Sequence, residues 1–147
     1  MYYDITSKFI SGRGKKAIYK FYEKQEAARL VVLKSLPQEL PDIKKGDFLI
    51  KVTDQNGNEE IHIWEFKTKW NPRDVENLMV YTLRARQTYN LPVKPVMFLF
   101  LRCESAYGHY NDDQFQFEFE LIKMWEVDGS AILDTEDFYL YPFLPLM

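Results

Sequence analysis

The sequence predicts a single α/β (α+β) domain, 1–147, in which helices flank a mixed sheet. Three observations predict it. Apolar residues switch along the chain between alternating or unbroken strand-like runs and helical spacing. The 147 residues suit one core, because single domains peak at about 100–150 residues. One long helical segment separates two strand-like runs and can serve as the crossover of a βαβ unit.

The elements follow in order. Residues 14–28, GKKAIYKFYEKQEAA, place Ile18, Phe21, Tyr22 and Gln25 on one helical face, with Gly12 and Gly14 in front. RLVVLKSL, 29–36, is a short apolar run that reads as a strand, and Pro37 and Pro41 bracket a turn. Two strands follow, over about 47–53 and 60–68. Then NPRDVENLMVYTLRARQTYNLP gives the clearest helix, 72–89. Asn71 caps it, Pro72 takes its first position, Asp74 lies in its first turn, and Asn90 and Pro92 stop it. Its apolar face reads Val75, Leu78, Met79, Thr82, Ala85 and Tyr89. KPVMFLFLR, 94–102, is unbroken and apolar, the mark of a strand buried on both faces. FQFEFELI, 115–122, alternates strictly, with Phe115, Phe117, Phe119 and Leu121 pointing inward. The end, ILDTEDFYLYPFLPLM, is aromatic and is expected to dock on the core, and the element order closes with a hairpin-like C-terminal strand extension.

Composition narrows the function. The 11 Phe, 10 Tyr and 3 Trp exclude a disordered chain. No apolar run reaches the roughly 18 residues of a membrane span, so no membrane partner is expected. MYYDITSKFISGRGKK has no apolar core, so no secretory signal is expected. The single cysteine, Cys103, excludes an intramolecular disulfide and fits a cytoplasmic location. Net charge is −3, against a non-specific nucleic-acid binder, but its distribution is uneven. Residues 1–102 hold 18 Lys and Arg against 12 Asp and Glu, whereas residues 103–147 hold 1 against 10. A basic face can therefore coexist with an acidic last third, although a solvated acidic side of the last strands explains the same counts.

The stretch GDFLIKVTDQNGNEEIHIWEFK, 46–67, carries the chemistry. Strand alternation puts Glu65 and Lys67 on one face with Ile61 and Ile63, and His62, Trp64 and Phe66 on the other. Whether Asp47 joins Glu65 depends on the turn. A two-residue Asn56-Gly57 loop sets Asp47 opposite Phe66. A three-residue Gln55-Asn56-Gly57 loop, a type I turn followed by a left-handed glycine, sets it opposite Glu65. The second is the reading adopted. Two carboxylates so close repel and need a cation, and hard divalent ions take carboxylate and carbonyl oxygens. Asp47, Glu65 and the main-chain carbonyl of Phe66 are then candidate ligands for Mg²⁺ or Mn²⁺. Lys67 would stabilise charge developing on a phosphoryl group or hold the attacking water. Taken by itself, Glu-x-Lys on a strand reads first as a strand-end salt bridge.

These residues resemble the PD-(D/E)XK nuclease superfamily, in which an Asp on the second core strand and Glu-x-Lys on the third build the metal site. The match here is Asp47 with Glu65-Phe66-Lys67. The similarity is closest to the recombination-promoting nuclease, transposase-like group. It rests on Asp4 and Lys8, on ELPDIKKGDFLIKV, IHIWEFK, VYTLRARQTYNLPVKPVMFL, and on the terminal MWEVDG and YPFLPLM. The resemblance implies a restriction-endonuclease-like αβββαβ core and hydrolysis of DNA phosphodiesters linked to recombination or mobile elements. It also implies secondary site candidates: Asp4, for an acid that some relatives place on the first helix, and Asn77 with Tyr81, which stand where some relatives have Gln-x-x-x-Tyr. Nucleic-acid contact candidates are Lys69, Arg73, Lys15 and Lys16. SGRGKK lacks the spacing of a phosphate loop and reads as a basic patch. His62 and His109 suggest no zinc site, His62 reads as structural, and Cys103 reads as a small buried residue ending its strand. Expected partners are nucleic acid, DNA first, and a second copy of the chain as a homodimer. The alternative is a catalytically inactive nucleic-acid-binding or protein-interaction module of the same fold.

Overall fold

The computed structural model describes residues 14–33 and 48–130. Asp4, Lys8, Asp47, the segment 34–46 and everything from 131 onward lie outside the described residues. The fold is α+β. In chain order the elements are α1 (Lys15–Glu23), β1 (Arg29–Leu33), β2 (Phe48–Thr53), β3 (Glu59–Lys67), α2 (Pro72–Tyr89), β4 (Val93–Leu99), β5 (His109–Asn111), β6 (Gln116–Glu118) and β7 (Glu120–Lys123). A five-stranded mixed sheet runs β1-β2-β3-β4-β7, and β5 and β6 form a separate two-stranded ribbon. β1, β2 and β3 pair antiparallel; β3 with β4 and β4 with β7 pair parallel. Among the described residues no helix is long and apolar enough to cross a membrane.

The helix α2 forms where its signals put it. Asn71 accepts the N–H of Arg73 through its side chain, Pro72 opens the helix, and Asn90 closes it in the left-handed conformation at φ 53. Its buried face is Val75, Leu78, Tyr81 and Ala85; Met79, Thr82 and Tyr89 are half-buried at the margins. The face is thus rotated toward Tyr81 from the one the spacing suggested.

Helix α1 is shorter than 14–28. It stops at Glu23 because Lys24 turns left-handed at φ 60, so Gln25 is exposed and the buried face is Ala17, Ile18, Tyr19 and Tyr22.

The loop after β2 fixes the register. Asp54 and Asn58 close it through Asp54 N–H to Asn58 carbonyl, 2.9 Å, and Gly57 donates back to the Asp54 carbonyl at 3.1 Å. Gly57 sits at φ 85, a conformation that glycine adopts without the Cβ penalty. The Asp54 carboxylate accepts the N–H groups of Asn58 and Asn56, and these bonds hold its pKa below the ordinary carboxylate value. The result is the three-residue Gln55-Asn56-Gly57 loop. Thr53 faces Glu59, Ile50 faces His62 and Phe48 faces Trp64. A one-residue slip would turn every side chain of β2 to the other face.

The sheet buries both faces. Toward α1 point Ile50, Val52, Trp64, Phe66, Val96 and Phe98. Toward α2 point Leu49, Ile61, Ile63 and Met97, packed on Leu78 and Ala85. β4 is buried on both sides, as its unbroken apolar run requires.

The alternating segment 115–122 is not one strand. Its first part pairs with β5 in the ribbon, and its second part joins β4 as β7. The break falls at Phe119, whose N–H goes to the Gly108 carbonyl at 3.1 Å. Gly108 is required there, because a Cβ would stand 2.8 Å from the Phe119 carbonyl oxygen. Phe117, Phe119 and Leu121 do turn toward the α2 face, but Phe115 is 56% exposed at the ribbon end. β7 pairs parallel with β4 and is the last strand of the sheet among the described residues; the rest of the expected C-terminal extension lies outside them.

Cys103 lies beyond the end of β4, half-buried, with its Sγ 3.3 Å from Ser105 Oγ. It is not the last residue of a buried strand.

Candidate functional site

β3 and α2 are joined by a turn of four residues, 68–71. So short a link forces the first turn of α2 back past the end of β3. Glu65 and Lys67 are two apart on β3 and share the α2 face with Ile61 and Ile63. Glu65 is only 4% exposed. A carboxylate at that depth requires partners.

Lys67 lies 3.6 Å from Glu65 and also 3.6 Å from Asp74 in the first turn of α2. The Lys67 and Asp74 side chains are 22% and 16% exposed. At an effective dielectric of about 20, unit charges about 4 Å apart interact by roughly 4 kcal/mol before desolvation. Neither acid dominates, so the ammonium is shared. Asp74 has a second source of stabilisation in the free N–H groups at the helix start.

Asp74 was not among the sequence candidates; its place in the first turn explained it as a helix-capping acid. The signal that could have found it is the length of the turn. With four residues between strand and helix, an acid at N3 falls beside a lysine at the strand end.

The other candidates distribute as follows. Asn77 is half-buried and Tyr81 is buried in the cluster beneath α2, one and two turns on from Asp74 along the same side. Phe66 turns its ring to the α1 face, stacked on Phe98 at 4.8 Å and 12°, which fixes the backbone around its carbonyl. Lys69 and Arg73 are exposed beside the site. Lys15 and Lys16 lie in the first turn of α1, on the helix that covers the opposite sheet face. The structure does not gather these four cations onto one surface. Asp47 and Asp4 lie outside the described residues. Among the described residues no group of three or more His, Cys, Asp and Glu is placed to hold a metal ion.

His62 has the structural place its parity implied. It is fully buried on the α1 face, and Tyr22 joins it to Trp64. Trp64 Nε1–H donates to the Tyr22 hydroxyl at 2.7 Å; an indole can only donate. The Tyr22 O–H is then free to donate to His62 Nδ1, 2.6 Å away, which leaves His62 Nε2–H to donate to Glu60 at 2.5 Å. One neutral tautomer satisfies all three bonds. Burial raises the Tyr22 pKa far above its ordinary value, so the hydroxyl keeps its proton. Beside this set, Lys94 pairs with Glu23 of α1 and, at 3.0 Å, with Glu120 of β7.

Burial is the largest influence on His62 and holds its pKa below the ordinary 6.5; Glu60 and Glu23 oppose the shift and Lys94 adds to it. The unfolded chain therefore takes up the proton more readily. The stability contributed by neutral His62 is complete above the ordinary imidazole value and is lost progressively as pH falls below it toward the lowered value of the folded state. The urea midpoint of the protein should accordingly drop more between about pH 7.5 and pH 5 than that of His62→Gln. Parallel drops would show that the imidazole does not carry this dependence.

No family model matches the chain, and no curated protein and no solved structure matches it.

Proposed function

We propose that the chain is a metal-dependent nuclease-like domain with a restriction-endonuclease-like core, hydrolysing DNA phosphodiester bonds with Mg²⁺ or Mn²⁺. The observation that carries this reading is Lys67 shared between two carboxylates at the end of a strand, at 3.6 Å from each. The order α1, β1, β2, β3, α2, β4 supports it. So does the register. Asp47 immediately precedes Phe48, whose partner is Trp64, and Glu65 immediately follows Trp64.

The donor set fits a hard divalent cation. A nearly buried carboxylate, Glu65, stands within reach of the same ammonium as a second carboxylate. Oxygen donors of this kind suit Mg²⁺ and Mn²⁺, which keep several waters. Asp47, Glu65 and the Phe66 carbonyl would hold the ion. When bound, it supplies Lewis-acid stabilisation of the phosphoryl oxygens and lowers the pKa of a coordinated water.

The residues of the chain do the rest. Lys67 sets a positive charge beside the scissile phosphate and offers N–H donors where negative charge develops. Asp74 holds the ammonium in place. Lys69 and Arg73 contact neighbouring phosphates.

Cleavage of plasmid and oligonucleotide DNA in Mg²⁺, in Mn²⁺ and in EDTA tests the reading. Activity is expected with either metal, none in EDTA, and none for Asp47→Ala. Cleavage that survives Asp47→Ala would remove the mechanism. The second reading is an inactive module of the same fold. It is favoured by one observation: the Lys67 charge is already engaged by two acids of the chain itself. A chain that binds DNA but cleaves none in any of these conditions supports it.

A further inference from the structure

The turn that brings Asp74 to Lys67 also carries Trp70, flanked by exposed Lys69 and, beyond Asn71 and Pro72, by exposed Arg73. Trp70 is half-buried against the cluster beneath α2, so its ring is anchored. Tyr107, from the loop between β4 and β5, meets Trp70 at 5.7 Å and 60°. On the ribbon, His109 lies 4.9 Å from the Tyr107 ring at 41°. Two neighbours thus hold Tyr107, yet it leaves 46% of its surface open.

A scattered exposed aromatic is ordinary on a protein surface. An aromatic ring held by two others, one of them Trp70, which stands three residues from Lys67 and between exposed Lys69 and Arg73, is a different arrangement. Two acids of this loop and ribbon have partners of their own. Glu104 pairs with Arg102, and Asp112 accepts from Tyr110 Oη and from the N–H groups of Gln114 and Phe115. The attraction for a backbone phosphate comes from Lys69 and Arg73, exposed on either side of Trp70. A ring held in advance also loses little freedom when a ligand stacks on it. Duplex DNA hides its base faces, whereas single strands expose them, and base stacking on aromatic side chains tolerates any sequence.

We propose that Tyr107, held by Trp70 and His109, is a stacking platform for an unpaired base, which makes single-stranded nucleic acid the substrate class of the Lys67 site. This rests on the nuclease reading of that site. Lys69 and Arg73 track the backbone while the base lies on Tyr107, and the adjoining phosphate reaches Lys67.

Fluorescence anisotropy with a labelled oligo-dT and with a duplex, both in EDTA at low salt, tests it. The 147-residue chain should bind oligo-dT more tightly than duplex. Tyr107→Ala and Tyr107→Leu should each lose about tenfold or more in oligo-dT affinity. Tyr107→Phe should keep it, and duplex binding should not change. Leucine retention would mean simple apolar docking of a protein partner and would overturn the platform, as would wild-type affinity in Tyr107→Ala or failure of the wild type to bind oligo-dT. Far-UV circular dichroism confirms that each variant is folded. Because binding is read without metal, a chain that stacks oligo-dT but cleaves nothing sinks the nuclease reading alone. A chain that cleaves while Tyr107→Ala binds oligo-dT normally sinks the platform alone.

Discussion

Lys67→Ala is expected to lower metal-dependent cleavage by about 10²–10³-fold, the usual cost of removing one group aimed at developing charge. Mn²⁺ binding should persist. The reason lies in the charges around it. Lys67 stands between Glu65 and Asp74 at equal distance, and removing the ammonium leaves two carboxylates with more need of a cation, not less. Single-turnover cleavage and calorimetry on the same preparation separate the two effects. A variant that loses Mn²⁺ binding together with cleavage would show that Lys67 builds the site instead of acting on the substrate. A variant that cleaves at the wild-type rate would show that it does neither. Stability should also fall, because Glu65 is 4% exposed and loses a cation at that depth, so cleavage is compared at a temperature where circular dichroism shows the variant folded.

Asp74→Asn is expected to lower cleavage by about 10–100-fold, the range for residues that hold a metal-site group in place. The helix start should survive, since Asn71 and Pro72 are untouched. What changes is the balance on Lys67. Without the Asp74 charge, the ammonium is drawn to Glu65 and competes there with the divalent ion. Mn²⁺ affinity should therefore fall along with turnover, and Asp74→Glu should restore part of both. A purely structural role would lower the urea midpoint with no change in Mn²⁺ affinity. Asp74 is a positioning residue in this account.

Much of this fold was legible because the local signals were strong and mutually consistent. The cap, the proline and the terminal asparagine of α2 fixed its ends, and β4 announced its double burial by an unbroken apolar run. The register of β2 on β3 was legible in principle, because Gln55-Asn56-Gly57 permits the three-residue loop, yet the sequence offered the two-residue loop equally. Gly57 at φ 85 with Asp54 closing the turn decided between them. Other features depend on contacts that no single segment encodes. The segment 115–122 alternates like one strand, but Gly108 pulls Phe119 across and the two halves pair with different partners. Helix α1 ends early where Lys24 turns left-handed, a position that no glycine or proline marked.

The site divides in the same way. Parity along β3 was enough to set Glu65 and Lys67 together and to send His62 to the other face. Asp74 escaped because its helical role was sufficient explanation, and only the closeness of strand and helix gives it a second one. The aromatic grouping of Trp70, Tyr107 and His109 was equally invisible. Trp70 is far in the chain from Tyr107 and His109, and they meet only because the loop after β4 returns to the β3–α2 turn.

The account depends on acids from neighbouring strands sharing one divalent ion, and Mn²⁺ calorimetry on the wild type, Asp47→Ala and Glu65→Gln addresses this most directly. A Mn²⁺ site in the wild type that is lost in both variants, with folding unchanged by circular dichroism, is the predicted result. Wild-type Mn²⁺ binding in Asp47→Ala would contradict it.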